Sequence, residues 1–139
     1  MTNSLPVITE LDAARIQELG NRLPNGGKGY AALGRLIEKV TQEAEIVPGP
    51  RVAADVVTVN STVSFRDELT GTVHRVSVVY PEEMSMAHRR ISVLSPVGSA
   101  LLGRTVGSVA SFELPDGTSR EIRVLELHYQ PEASGEYTR

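Results

Sequence analysis

Apolar positions follow two different rhythms along this chain, and the change falls near residue 50. In the first third the spacing is helical. Thr9-Glu10-Leu11-Asp12 reads as a capping box, a hydroxyl and then a carboxylate three residues on, which reciprocally satisfy free N–H groups. Ile16, Leu19 and Leu23 follow on one helix face. Pro24-Asn25-Gly26-Gly27-Lys28-Gly29 then breaks the pattern with turn residues. A second, cleaner stripe runs through Leu33, Leu36, Ile37, Val40 and Ala44, and Pro48-Gly49-Pro50 ends it. Two amphipathic helices with a short loop predict an antiparallel helical hairpin over residues 1–50, each arm of about 13 residues being about 20 Å long. Such short helices are marginal alone, so they are expected to lean on the rest of the chain.

From residue 51 to 139 the rhythm is that of strands. Residues 56–59, 62–65 and 73–80 are rich in β-branched residues, with a hairpin loop from Asp67 to Gly71 between the second run and the third. Residues 91–94 predict a further short strand. Two more, 109–114 and 121–129, flank Pro115-Asp116-Gly117-Thr118, and Asp-Gly between apolar runs is a hairpin signal. Along the last strand the apolar set changes parity: Ile122 and Val124 fall on one face, Leu125, Leu127 and Tyr129 on the other. Either both faces are buried there or a bulge lies near Val124. One short helix interrupts the strands, with Ser95 as N-cap, Pro96 at its first position and Gly103 at its stop. The fold class is α+β.

Composition narrows the chemistry. The 139 residues are 40% hydrophobic and 22% charged, which is globular, but only 4% aromatic with no Trp, so the core must be aliphatic. A net charge of −3 argues against broad neutralisation of nucleic-acid phosphates, and no sequence-specific nucleic-acid binding is expected. No apolar run approaches the roughly 18 residues of a membrane span. Met1 to Pro6 carries neither a basic nor an apolar leader region, so a cytoplasmic protein is expected. With no cysteine there is no disulfide, thiolate nucleophile or cysteine metal site.

Catalytic equipment is hard to find. Gly98-Ser99-Ala100-Leu101-Leu102-Gly103-Arg104-Thr105 superficially matches a P-loop, with Arg in place of Lys. A phosphate cradle needs exposed backbone N–H groups, whereas Ala-Leu-Leu wants burial, so a short packed helix is the better reading. His74, His88 and His128 have no metal-ligand spacing, and surface histidines are expected. Asp67-Glu68 and Glu82-Glu83 read as solvated turn acids. Arg89-Arg90 is too short a run to name a partner. The residues alone therefore describe a binding module, not an enzyme, with no cofactor and no metal.

Residues 91–107, Ile-Ser-Val-Leu-Ser-Pro-Val-Gly-Ser-Ala-Leu-Leu-Gly-Arg-Thr-Val-Gly, resemble the signature of the C-terminal domain of Gre-type transcript-cleavage factors. Residues 55–61 (Asp-Val-Val-Thr-Val-Asn-Ser), 124–133 (Val-Leu-Glu-Leu-His-Tyr-Gln-Pro-Glu-Ala) and 11–16 resemble the regulator of nucleoside diphosphate kinase family, a relative of the Gre factors. The resemblance implies an N-terminal coiled coil and a C-terminal domain of FKBP-like fold. It implies bacterial RNA polymerase as partner, docked at the rim of the secondary channel, and an effect on nucleoside diphosphate kinase levels. A polar residue followed by Ser-Pro contributes to docking in Gre factors. Ser95 and Pro96 match, with Leu94 standing where Asp or Asn is usual, and Leu94 and Val97 complete the expected partner-binding set. The expected hairpin tip, Asn25, Gly26, Gly27 and Lys28, departs from the Gre pattern. Gre factors carry acids there that help hold a catalytic Mg²⁺, whereas residues 21–29 contain no Asp or Glu. The resemblance thus implies a monomeric, non-enzymatic regulator that competes with Gre factors. A Gre-like cleavage factor is the alternative, and a peptidyl-prolyl isomerase-like module a more distant one, resting on fold analogy.

Overall fold

Thr9 Oγ1 accepts a hydrogen bond from Asp12 N at 3.1 Å, and helix α1 (Glu10–Arg22) starts from this cap as expected. The computed structural model describes residues 5–22 and 30–138. Helix α2 (Tyr30–Glu38) continues into a π-helical turn, Lys39–Glu43, that the apolar spacing did not predict. The two helices touch: a methyl group at Gly20 would lie 3.7 Å from Ile37 Cδ1. Leu23 and the loop expected from Pro24 to Gly29, including Asn25, Gly26, Gly27 and Lys28, lie outside the described residues.

Short strands bracket the helices. β1 (Val7–Thr9) pairs in parallel with β2 (Glu45–Val47), with Ile8 opposite Ile46. Neither strand was predicted, since three residues carry no period. The larger sheet contains β3 (Thr62–Asp67), β4 (Val73–Val79), β5 (Arg90–Ser92), β6 (Val109–Glu113) and β7 (Ser119–Tyr129). Their order across it is β5-β4-β3-β7-β6. The β3–β7 register shifts between Ser64 and Phe65, which face Glu126 and Val124. Leu125 is the extra residue, so the parity change along β7 is a bulge near Val124. The register shifts again between Thr62 and Val63.

One expected strand is absent. Residues 56–59 contribute only an isolated bridge, Val56 to Thr105, although all four are buried. A tight turn cuts the run short: Ser61 N donates to Thr58 O, and Asn60 adopts φ 73°, in the left-handed region. β-Branched composition here reports burial rather than pairing. Helix α3 (Pro96–Leu101) lies where Ser95, Pro96 and Gly103 place it. Gly103 has φ +85°, and a Cβ there would meet Pro6 Cβ at 2.9 Å, so glycine both ends the helix and admits the β1 entry strand.

The core is aliphatic and continuous. Ile8, Ile16 and Leu36 from the N-terminal third join Val57, Val63, Val78, Leu101 and Ile122 in one cluster, each 1% exposed or less. The helices do lean on the remainder of the chain. The Lys39 ammonium donates to Ser99 O at 2.6 Å and Leu102 O at 2.7 Å, tying the π turn to the end of α3.

Candidate functional site

The sequence-predicted residues Leu94, Ser95, Pro96 and Val97 form the entry to α3. Ser95 is its N-cap in full. Its Oγ accepts from Gly98 N at 3.0 Å and donates to Ser92 O at 2.7 Å. Ser92 Oγ in turn accepts from Leu94 N at 2.9 Å. Gly98 is required by the same geometry, because a Cβ there would sit 2.1 Å from Ser92 O. The chain therefore turns tightly, buries the small polar groups and leaves Pro96 exposed at the first helical position.

Two clefts meet at this turn. Leu94 and Pro96 line a groove of about 810 Å³ that also has walls from α2 and β6. Val97 lines an apolar cleft of about 360 Å³ with Phe65, Val76, Ile91, Phe112 and Ile122. Phe112 and Leu114 border both. Leu94 and Pro96 thus face one concavity and Val97 the other, making a ridge around the Ser95 cap, which lines neither.

The groove contains charges that sequence reasoning missed: Arg35, Lys39 and Arg104, with Glu43 and Glu113. Burial pushes the Lys39 ammonium down to about 7; Arg104 adds to the shift and Glu43 opposes it. One signal was available. Lys39 lies three residues after Leu36 and next to Val40, so a cation stands at the margin of the apolar stripe.

A second polar centre fixes α1 against the sheet. Asp12 is 3% exposed, accepts from Val59 N at 3.0 Å through Oδ2, and accepts from the Tyr80 hydroxyl at 2.9 Å through Oδ1. Burial pushes its carboxyl up to about 6 against the pull of these hydrogen bonds, and the Glu132 charge adds to the rise. The Tyr80 hydroxyl is pushed above its ordinary range, by burial first and then by Asp12. The Arg15 guanidinium stands 5.9 Å from the Tyr80 ring centre. Asp12 thus ties α1 to the turn at Val59 and to Tyr80, just beyond β4.

The remaining candidates disperse. His74 stacks on Phe65 at 5.2 Å, while His128 and His88 make hydrogen bonds with Ser64 and Ser85. Among the described residues no three metal-ligating side chains gather. Asp67 and Glu68 are not the solvated turn acids expected: they pair with Arg120 and Arg123, and Asp67 also accepts from Leu69 N at 2.9 Å. In the P-loop look-alike, Leu101 and Leu102 are fully buried, and the Ser95 cap occupies the helix start. No described helix is long and apolar enough to cross a membrane.

Comparison with known proteins agrees with this architecture. Residues 52–129 match the family model of the transcription elongation factor GreA/GreB C-terminal domain. The chain is 39% identical over 138 residues to the regulator of nucleoside diphosphate kinase of Escherichia coli K12, covering 99% of this chain and 98% of that protein. It is 34% identical over 91 residues to the transcription elongation factor GreA of Thermotoga neapolitana, which is 66% of this chain and 57% of that one. The solved GreA/GreB elongation factor of Nitrosomonas europaea superimposes with a TM-score of 0.68 at 33% identity, over 92% of this chain and all of that one.

Proposed function

This chain belongs to the GreA/GreB family and is a relative of the regulator of nucleoside diphosphate kinase, and from that premise we propose that it is a transcription-associated regulator that acts by binding RNA polymerase without catalysing a reaction. The finer reading takes residues 51–139 as an FKBP-like docking domain and 1–50 as a short helical hairpin. The docking domain sits at the rim of the polymerase secondary channel, in the cytoplasm, as a monomer. The ridge Leu94–Val97 makes the contact, and occupancy excludes Gre factors from the same entrance. Altered nucleoside diphosphate kinase levels follow as a consequence of changed transcription.

The observation that carries this reading is that Leu94 and Pro96 line one cleft and Val97 the neighbouring one, on either side of the Ser95 cap, within the stretch that matches the family. Pro96 is the exposed member, set between Ser95, which bonds Ser92 O and Gly98 N, and the first turn of α3, an arrangement suited to a pre-formed contact. The absence of Asp and Glu between residues 21 and 29 supports binding without delivery of metal ligands. Direct titration of fluorescently labelled protein with purified RNA polymerase tests the proposal. Saturable binding that weakens on Pro96→Glu supports it. Folded protein that fails to bind at micromolar polymerase overturns it.

An isomerase reading draws on one observation: Phe65 and Phe112, the chain's two phenylalanines, line the same apolar cleft. A protease-coupled assay on a proline peptide separates it from the binding reading, which expects no acceleration.

A further inference from the structure

Strand β6 ends the sheet, so one of its edges faces away from β7. Hydrogen bonds fix which groups lie on that edge. Val124 N donates to Ser108 O and Leu114 N donates to Thr118 O, so the even-numbered residues between them, Ala110 and Phe112, exchange bonds with β7. Ser111 and Glu113 therefore direct their N–H and C=O groups outward. Among the described residues no backbone partner takes these groups up.

The large groove runs along this edge. Consecutive residues of both parities, Ala110 to Leu114, line it, as happens when a cleft follows a strand's rim and not one of its faces. Arg35, Lys39 and Arg104 line the groove together with β6. Arg35 is exposed. Lys39 uses two of its three N–H donors on the α3 carbonyls. Glu43 and Glu113 are the acids lining the same groove, and Lys39, with its pKa pushed down to about 7, is only partly charged at neutral pH, so the cation excess is below one.

The geometry points to a peptide-binding groove that accepts an extended, acidic segment of a protein partner as an added strand on β6. Backbone pairing with Ser111 and Glu113 supplies the affinity, and carboxylates facing Arg35, Lys39 and Arg104 supply the selectivity. The edge is short, about 17 Å for five residues, and carries Glu113 with Pro115 just beyond it. These features discourage indiscriminate pairing, so the cationic wall decides what enters. Leu94 and Pro96 also line this groove, but the contact proposed here is backbone pairing on β6 and is read without polymerase.

The probe is a fluorescein-labelled nine-residue peptide of alternating valine and aspartate, titrated against the full chain by anisotropy. Amide NMR shifts are recorded in parallel. The expected result is saturable, salt-sensitive binding with shifts at the Ser111 and Glu113 amides. Ser111→Pro removes an outward N–H and should weaken binding about fivefold, the factor for one lost hydrogen bond. Arg35→Glu, at an exposed position, should also weaken it, and so should N-methylation of alternate peptide amides, which needs no variant to fold. Lack of binding by the acidic peptide overturns the proposal. So does equal binding of a lysine-for-aspartate peptide or of the N-methylated one. Preferential binding of a nine-nucleotide single-stranded RNA, or a dimer in solution that already occupies the β6 edge, overturns it as well.

Discussion

The Tyr80 hydroxyl and the Asp12 carboxylate meet at 2.9 Å, joining the end of β4 to the first turn of α1 inside the core. Asp12 also caps Val59 N, so one buried acid ties together three separate parts of the chain. Its cost is desolvation, which raises the carboxyl from 3.8 to about 6.

That shift makes a pH prediction with a definite sign. The folded state takes up the Asp12 proton below about pH 6, whereas the unfolded chain does so only below about pH 4. The folded state therefore binds more protons in this window, and the contribution of Asp12 to stability grows as pH falls through it. Asp12→Asn keeps an acceptor and abolishes titration. Relative to that variant, the wild type should gain about 2 kcal/mol between pH 7 and pH 4 in urea unfolding. Lys39, with its pKa pushed down to about 7, acts in the opposite direction and between about pH 7 and 10.5, outside this window. A flat difference, or one that favours the variant at low pH, refutes the assignment.

Leu36 is fully buried on α2 beneath the sheet domain. Leu36→Ala should cost about 2–5 kcal/mol, through lost transfer energy and the cavity left behind. Thermal melting and denaturant titration both read this loss. An unchanged melt would mean that the helical stripe is not a core face.

Ser95 and Pro96 separate stability from affinity. Ser95→Ala removes an oxygen that both accepts from Gly98 N and donates to Ser92 O, so a loss of about 1 kcal/mol or more in stability is expected. Pro96→Ala changes an exposed position and should leave melting nearly unmoved while weakening polymerase binding. Equal polymerase affinity in folded Pro96→Ala would reduce the ridge to a helix start.

At the expected tip, Asn25→Asp combined with Lys28→Glu supplies acids where the chain has none. Mg²⁺ demands near-octahedral ligands at about 2.0–2.1 Å, and the sequence has Gly26, Gly27 and Gly29 beside the substituted positions, a composition that does not by itself favour such precision. Cleavage assays on backtracked complexes should detect no stimulation by either protein. Stimulation by the wild type removes the binding-only reading. Stimulation by the double variant alone shows that the tip reaches the active site and lacked only charge.

Much of the architecture was legible because local rules agreed with the global fold. The Thr9 cap, the Leu33–Leu36–Val40 stripe, the Ser95-Pro96 start and the Asp116-Gly117 turn each act within a few residues. The bulge at Leu125 also left a trace, as a change of parity. What escaped was non-local. The β1–β2 pairing joins residues 38 positions apart through three-residue strands, and the apparent strand at 56–59 owes its valines to burial. That Leu94, Ser95, Pro96 and Val97 sit together at the start of α3 was legible because they adjoin in sequence. The cationic groove was not, since Arg35, Lys39 and Arg104 come together only when α2 lies beside the end of α3.

The most direct test of the account is competition on purified RNA polymerase between this protein and a labelled Gre factor. The account predicts complete displacement of the Gre factor as this protein saturates, with Pro96→Glu displacing poorly despite an unchanged melt. A stable ternary complex, or a Gre signal that persists at saturating concentrations of this protein, would contradict it.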